Sequence, residues 1–157
     1  MKLSTKSRYA SRLMIRLAME EGTEPLQLNE IARQEKISEK YLSQIVIPLR
    51  RAGLIESVRG ARGGYRLNKP LNDISLFDVV LAMEGGVDIV NCMVNGEKCQ
   101  RTAQCATYQV WDDVSHAIEE TLSSYTLEKL VGLASRNPDP MCSLLTKSLF
   151  HTLFTSS

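Results

Sequence analysis

Nowhere in its 157 residues does the chain string together the ~18 consecutive apolar residues that a membrane-crossing helix requires. The absence excludes a transmembrane α-helix. The first residues, MKLSTKSRYASRLMIRLAMEEG, also lack the uninterrupted apolar core of a signal peptide, because Arg12, Arg16, Glu20 and Glu21 fall inside it. A cytoplasmic protein is therefore expected, in a compartment where thiols stay reduced. Histidine is almost missing: only His116 and His151 occur, and neither lies close to the cysteine-rich segment. No set of nucleophile, base and orienting group can be assembled, which argues against a cysteine-dependent enzyme. Cysteine itself is scarce, with four in all, yet Cys92, Cys99 and Cys105 crowd into fourteen residues.

What the chain does contain is an uneven distribution of charge. Its net charge is only +1, but residues 1–69 hold fourteen Lys and Arg against seven Asp and Glu, a net of +7. Residues 70–157 hold five against eleven, a net of −6. A basic half joined to an acidic half points to a polyanionic partner for the first. Length and an apolar content of 43% suit a folded core in one domain, or a small domain with an appendage.

The order of predicted elements gives that partner a name. Ser4 is placed to cap a helix running to about Glu21, with Tyr9, Leu13, Ile15, Leu17 and Met19 inward and Lys6, Arg8, Arg12 and Arg16 toward solvent. A short second helix spans 28–35. Ser38 caps a third, SEKYLSQIVIPLRRAG, in which Tyr41, Leu42, Ile45 and Leu49 recur every three or four residues and Pro48 is expected to kink the helix or end its regular part. The alternating stretch 54–59, the basic turn at 60–64 and the returning stretch 65–67 form a hairpin. Helix, short helix, helix and basic hairpin is the plan of a winged helix-turn-helix, whose third helix enters the major groove of double-stranded DNA. The fold class expected is thus mainly α with a small β-hairpin wing, over residues 1–70.

On that plan Lys40, Tyr41, Ser43 and Gln44 lie in the turns that meet bases. The Gln44 amide suits an adenine edge, and Lys40 a guanine or a phosphate. Tyr41 either packs into the core or offers its hydroxyl to a phosphate. Arg50 and Arg51 either contact phosphates or simply solubilise the helix end. Arg59 and Arg62 flank the wing turn, where a guanidinium suits a narrow minor groove. Lys6 and Tyr9 of the first helix complete the DNA-facing set.

Residues 71–135 are expected to form a linker, a helix capped by Ser75, the thiol loop over 92–108, and a long helix from about Thr107 to Ser123 followed by a shorter one. Val110, Trp111, Val114, Ile118 and Leu122 share one face of the long helix. That face packs either on its own domain or, the favoured reading, on a second subunit, giving a homodimer on a palindromic operator. Residues 136–157 read as a mobile tail, with Cys142 a spare thiol.

Three stretches carry a family resemblance: LSTKSRYASRLMIRLA, then LNEIARQEKISEKYLSQIVIPLRRAGLIESVRGARGGYRL, then three cysteines before a Trp-containing helix. They resemble the IscR/NsrR/CymR-type winged-helix regulators over about residues 1–135, most of all the iron–sulfur-cluster regulators of the IscR type. The resemblance implies a homodimeric bacterial transcription factor whose cysteines hold an iron–sulfur cluster that tunes DNA binding, with Gln44 and its neighbours reading bases and Arg59 in the minor groove. It also marks departures. Tyr108 stands where a ligand histidine is common, and Arg8 and Arg12 stand where other relatives offer an acidic ligand from the partner's first helix. Ser43 replaces a glutamate of the recognition helix.

The thiols are spaced C-x6-C-x5-C, unlike the paired C-x2-C of zinc ribbons and redox dithiols. A structural zinc would want a fourth ligand, which is missing nearby, whereas iron–sulfur clusters tolerate a replaced ligand. An iron–sulfur cluster on Cys92, Cys99 and Cys105 is the favoured reading, [2Fe–2S] ahead of [4Fe–4S]. Zinc and free or redox-active thiols are the alternatives. The fourth ligand stays open: Tyr108 is a weak candidate, and His116 lies about 16 Å along a helix from Cys105. A cluster-free regulator of the CymR type, governed by a protein or metabolite, is the rival to the whole reading.

Overall fold

The computed structural model describes residues 3–20, 22, 24–87, 89–90 and 105–136. Cys92, Cys99, Cys142, His151 and the tail expected beyond Arg136 lie outside them.

Among the described residues six α-helices and one hairpin follow in chain order. Helix α1 (Thr5–Met19) is capped by Ser4, whose hydroxyl accepts the Ser7 backbone N–H at 3.3 Å. Its buried stripe is Ala10, Leu13, Met14 and Leu17, recurring at the three- and four-residue spacing of a single helical face. Tyr9 and Ile15 pack only at the margin of the core. Helix α2 (Leu28–Glu35) buries Ile31 and Ala32 and stops where Lys36 turns left-handed at φ 54°.

Arg16 departs from the expected solvent-facing series. It is 8% exposed, and its guanidinium meets the equally buried Glu35 at 3.4 Å, while Arg12 Nε reaches the other Glu35 oxygen at 2.6 Å. Periodicity placed Arg16 outward because it scores every arginine as polar. The acidic residue at the end of α2 supplies the counter-charge that lets it turn in.

Helix α3 (Glu39–Arg51) is capped by Ser38, which accepts the Tyr41 N–H at 3.2 Å. The helix does not end at Pro48 but runs on to Arg51. Pro48 cannot donate to the Gln44 carbonyl, a loss that core packing of Ile45, Val46 and Leu49 on either side of it offsets. Strands β1 (Ile55–Val58) and β2 (Gly64–Leu67) pair antiparallel, Ile55 opposite Leu67 and Val58 opposite Gly64. Leu26 adds a third edge through two hydrogen bonds with Tyr65, at 3.0 and 2.8 Å. A side chain at position 64 would begin 2.4 Å from the Leu26 carbonyl oxygen, so glycine is required there.

After a 3-10 turn (Leu71–Asp73), helix α4 (Leu76–Glu84) starts with a reciprocal capping box between Ser75 and Asp78. Helix α5 (Tyr108–Ser123) touches α4, and α6 (Leu127–Arg136) returns to α1. The return is pinned by Leu76 N–H to the Tyr125 carbonyl (2.8 Å) and Leu127 N–H to the Ile74 carbonyl (2.9 Å). Ile74, Val79 and Leu127 thereby join the core built on α1. No described helix is long and apolar enough to cross a membrane.

Glu35→Ala is expected to lower the free energy of unfolding by about 3–5 kcal/mol, because it strands the buried Arg16 guanidinium. The more open Arg12, replaced by alanine, should cost about 1 kcal/mol or less. Urea unfolding of the two variants beside the parent checks both values.

Candidate nucleic-acid interface and the thiol segment

The face of α3 turned away from its buried Leu42, Ile45, Val46 and Leu49 carries Lys40, Gln44, Ile47, Arg50 and Arg51, all exposed. Ser43 is half-buried, and its hydroxyl donates to the Lys40 carbonyl at 2.7 Å, which partly commits it to its own helix. The polar members form a cationic, hydrogen-bonding surface along the third helix, as its sequence predicts. Tyr41 is half-buried and meets Tyr9 of α1 edge to face, with centroids 5.8 Å apart and planes at 84°. Both rings belong to the junction of α1 with α3, and the Arg12 guanidinium lies 5.8 Å from the Tyr9 ring. Lys6, one turn before Tyr9, is exposed.

At the wing, Arg59 and Arg62 are both exposed. Arg62 Nη1 meets Glu24 Oε1 at 3.0 Å, so its guanidinium is shared with the segment before α2. Arg59 makes no ion pair among the described residues and stands beside Gly60, which adopts φ 118°. Glu56 and Arg66, opposite one another in the hairpin, pair at 2.5 Å. Sequence reasoning missed the Glu24 contact, since nothing in the spacing of 24 and 62 announces it.

A second contact also went unforeseen. Glu84, at the end of α4 and eight residues before Cys92, accepts the Ser4 N–H at 3.0 Å and the hydroxyl of the buried Ser7. The last turn of α4 is thereby tied to the N-terminus of α1, where a carboxylate also suits the helix dipole. Burial pushes the Glu84 carboxyl up, but the hydrogen bonds from Ser4 and Ser7, with the nearby Lys6 charge, hold it below its ordinary value.

Of the three clustered cysteines only Cys105 is among the described residues. It is exposed and lies just before α5, its sulfur 3.4 Å from the Thr107 hydroxyl. Hydrogen bonding by the Thr107 side chain and by the backbone at Thr107 and Tyr108 draws its thiol below the usual range. A thiol so placed favours the thiolate that binds soft metals. Among the described residues no three His, Cys, Asp or Glu side chains converge as a metal site. Tyr108 opens α5 and is half-buried, and His116, exposed, lies two turns further along.

A winged hairpin, a cationic third helix, and two further helices closing on α1 define a winged-helix transcriptional regulator. The profile of the Rrf2 family, described as iron-dependent transcriptional regulators, matches residues 3–132, and the chain belongs to that family. It is 38% identical over 144 residues to protein rrf2 of Nitratidesulfovibrio vulgaris, covering 92% of this chain and 96% of that one. The structure of CymR, the global cysteine regulator of Bacillus subtilis, superposes with a TM-score of 0.70 at 38% identity, over 85% of this chain and 98% of that one. IscR of T. potens superposes at 0.69 and 36% identity, over 85% and 88%. The chain is accordingly a DNA-binding transcriptional regulator of a family of regulators, not of enzymes.

Because the folded Glu84 pKa is depressed, its contact stabilises fully above the unfolded carboxyl's ordinary pKa of 4.5 and is lost as pH falls through the lower folded value. Glu84→Gln is expected to cost about 0.5–1 kcal/mol at neutral pH, given the solvent-facing carboxylate. The gap from the parent should close on going from about pH 5 to about pH 3. Parallel thermal melts across that window check it.

Proposed function

We propose that the protein is a homodimeric regulator that binds a palindromic operator on double-stranded DNA in the bacterial cytoplasm, with affinity set by an iron–sulfur cluster on Cys92, Cys99 and Cys105. The observation that carries the DNA half is the exposed face of α3, where Lys40, Gln44, Arg50 and Arg51 stand together. Gln44 reads an adenine edge, Lys40 and the two arginines hold phosphates or guanine, and Arg59 enters the minor groove beside the wing. Ser43, Lys6 and Tyr41 border that surface. Tyr9 supports it through the ring contact with Tyr41. Arg62 contributes when it leaves Glu24. Phosphate contacts of this number make affinity fall steeply with salt.

Dimerisation is supported by α5. Val110, Trp111 and Val114 are exposed on it, Trp111 at 37%, although the helix is long enough to bury a continuous face. A second copy placed against α5 covers these side chains and sets the two α3 helices for successive major grooves.

Support for the cluster comes from Cys105, whose exposed, thiolate-favouring sulfur fits an iron ligand, and from the iron-dependent description of the family. When bound, the cluster supplies a linkage among thiolates that responds to oxidation, to small ligands and to iron supply. The [2Fe–2S] form is favoured. The chain's own residues carry the rest. Glu84 ties the end of α4 to Ser4 and Ser7, Cys105 stands just before α5, and α1 passes a shift at Ser7 to Tyr9 and so to Tyr41 on α3. A change in the segment then tilts the reading helix, a switch by local ligation. The cluster-free alternative is favoured by one observation, the equally good superposition on CymR.

Protein purified without oxygen should carry about two irons and two acid-labile sulfides per chain, with visible absorption. Colourless, iron-free protein after reconstitution would leave the cluster-free reading. Gln44→Ala should weaken binding to the preferred duplex by about 1–3 kcal/mol and spare random DNA. An equal loss on both in a fluorescence-anisotropy titration would remove Gln44 from base reading.

A further inference from the structure

We infer that Ile47 is a specificity-determining residue, one that recognises the C5-methyl group of thymine in the major groove. The inference rests on the proposed placement of α3 in that groove. Ile47 is 47% exposed, on a helix whose other branched aliphatic residues, Leu42, Ile45, Val46 and Leu49, are at most 2% exposed. At about 100° per residue, Ile47 points about 150° away from the centre of that buried stripe. In the same projection it falls between Ser43 on one side and Lys40, Arg51 and Gln44 on the other, so it stands near the middle of the DNA-facing surface. A single exposed isoleucine is ordinary on a protein surface. One set in the middle of a cationic, base-reading face is in position to be used.

The surroundings select the occupant. Ile47 forms a recess of about 240 Å³ with Arg50 and Arg51, an apolar wall with two guanidinium-bearing side chains beside it. Cations there draw a phosphate backbone close, and what Ile47 itself can favour on the groove edge is an apolar group. Thymine's methyl is the one apolar feature that a base pair of unmodified DNA presents in the major groove. Ile47 is also stiff: a β-branched residue inside a helix keeps essentially one χ1 rotamer. It therefore presents its methyl groups with little ordering cost, unlike Lys40 or Gln44. Gln44 lies three residues earlier on the same face, so an adenine edge and a thymine methyl would be read by adjacent turns.

Duplexes preferred by the wild-type protein are first selected from a pool randomised over two helical turns. Each thymine of the selected duplex is then replaced singly by deoxyuridine, which deletes the methyl and keeps the base pair. Wild-type protein should lose about threefold to fivefold in affinity at one thymine of a half-site, the worth of one buried methyl. Ile47→Ala should bind the thymine and uracil duplexes equally, and should match the wild type on the uracil duplex. If no replacement affects the wild type, or if Ile47→Ala loses as much as the wild type at the same position, the inference fails while DNA reading stands. If the pool yields no duplex bound above random DNA, the placement of α3 fails and the inference with it. Because Ile47 is outside the core, thermal melts of Ile47→Ala should overlay those of the parent.

Discussion

Everything in this fold leans on the buried stripe of α1. Ala10, Leu13, Met14 and Leu17 form the surface on which α3, α4 and α6 close, so the DNA-facing helix and the elements around the thiol segment share one support. With no second core among the described residues to absorb a displacement, close packing obliges a shift of α1 to be felt on both sides. The same helix gathers the polar ties: Arg12 and Arg16 to Glu35, Ser4 and Ser7 to Glu84, Tyr9 to Tyr41. These contacts are directional where the apolar stripe is not, and they determine the angle at which α2, α3 and α4 meet it.

How much of this was legible in the sequence depended on whether the signal was local. Ser4, Ser38 and Ser75 each cap the helix that follows, because a cap needs only its own next three residues. The hairpin and its basic turn were legible for the same reason. Arg16, Glu24 and Glu84 were not, since each owes its role to a partner between nineteen and eighty residues away. Pro48 is a different case: a kink or an end to the regular part was expected there, and the helix runs on to Arg51, where tertiary burial of Ile45, Val46 and Leu49 outweighs the local cost.

The candidate DNA surface was legible residue by residue, since polar residues opposite an apolar stripe must face outward. Ile47 stood outside the inward series Tyr41, Leu42, Ile45 and Leu49, yet nothing local in the sequence marks an outward isoleucine as more than an ordinary surface residue. The Cys105 environment likewise came from folding: the sequence places Thr107 at the start of the long helix, and the fold adds that its side chain and backbone meet the sulfur.

The antiparallel bridge between Ser75 and Thr126 sets the start of α4 beside the start of α6, so the two ends of the intervening stretch stand together. Its entrance and exit are fixed by main-chain hydrogen bonds, which ask for no particular side chain. Within that frame α4 still packs on α1 through Val79, so the frame and the core hold its first part together. Such an architecture leaves the side chains between the two contacts free to change in chemistry without loosening the frame that carries α3.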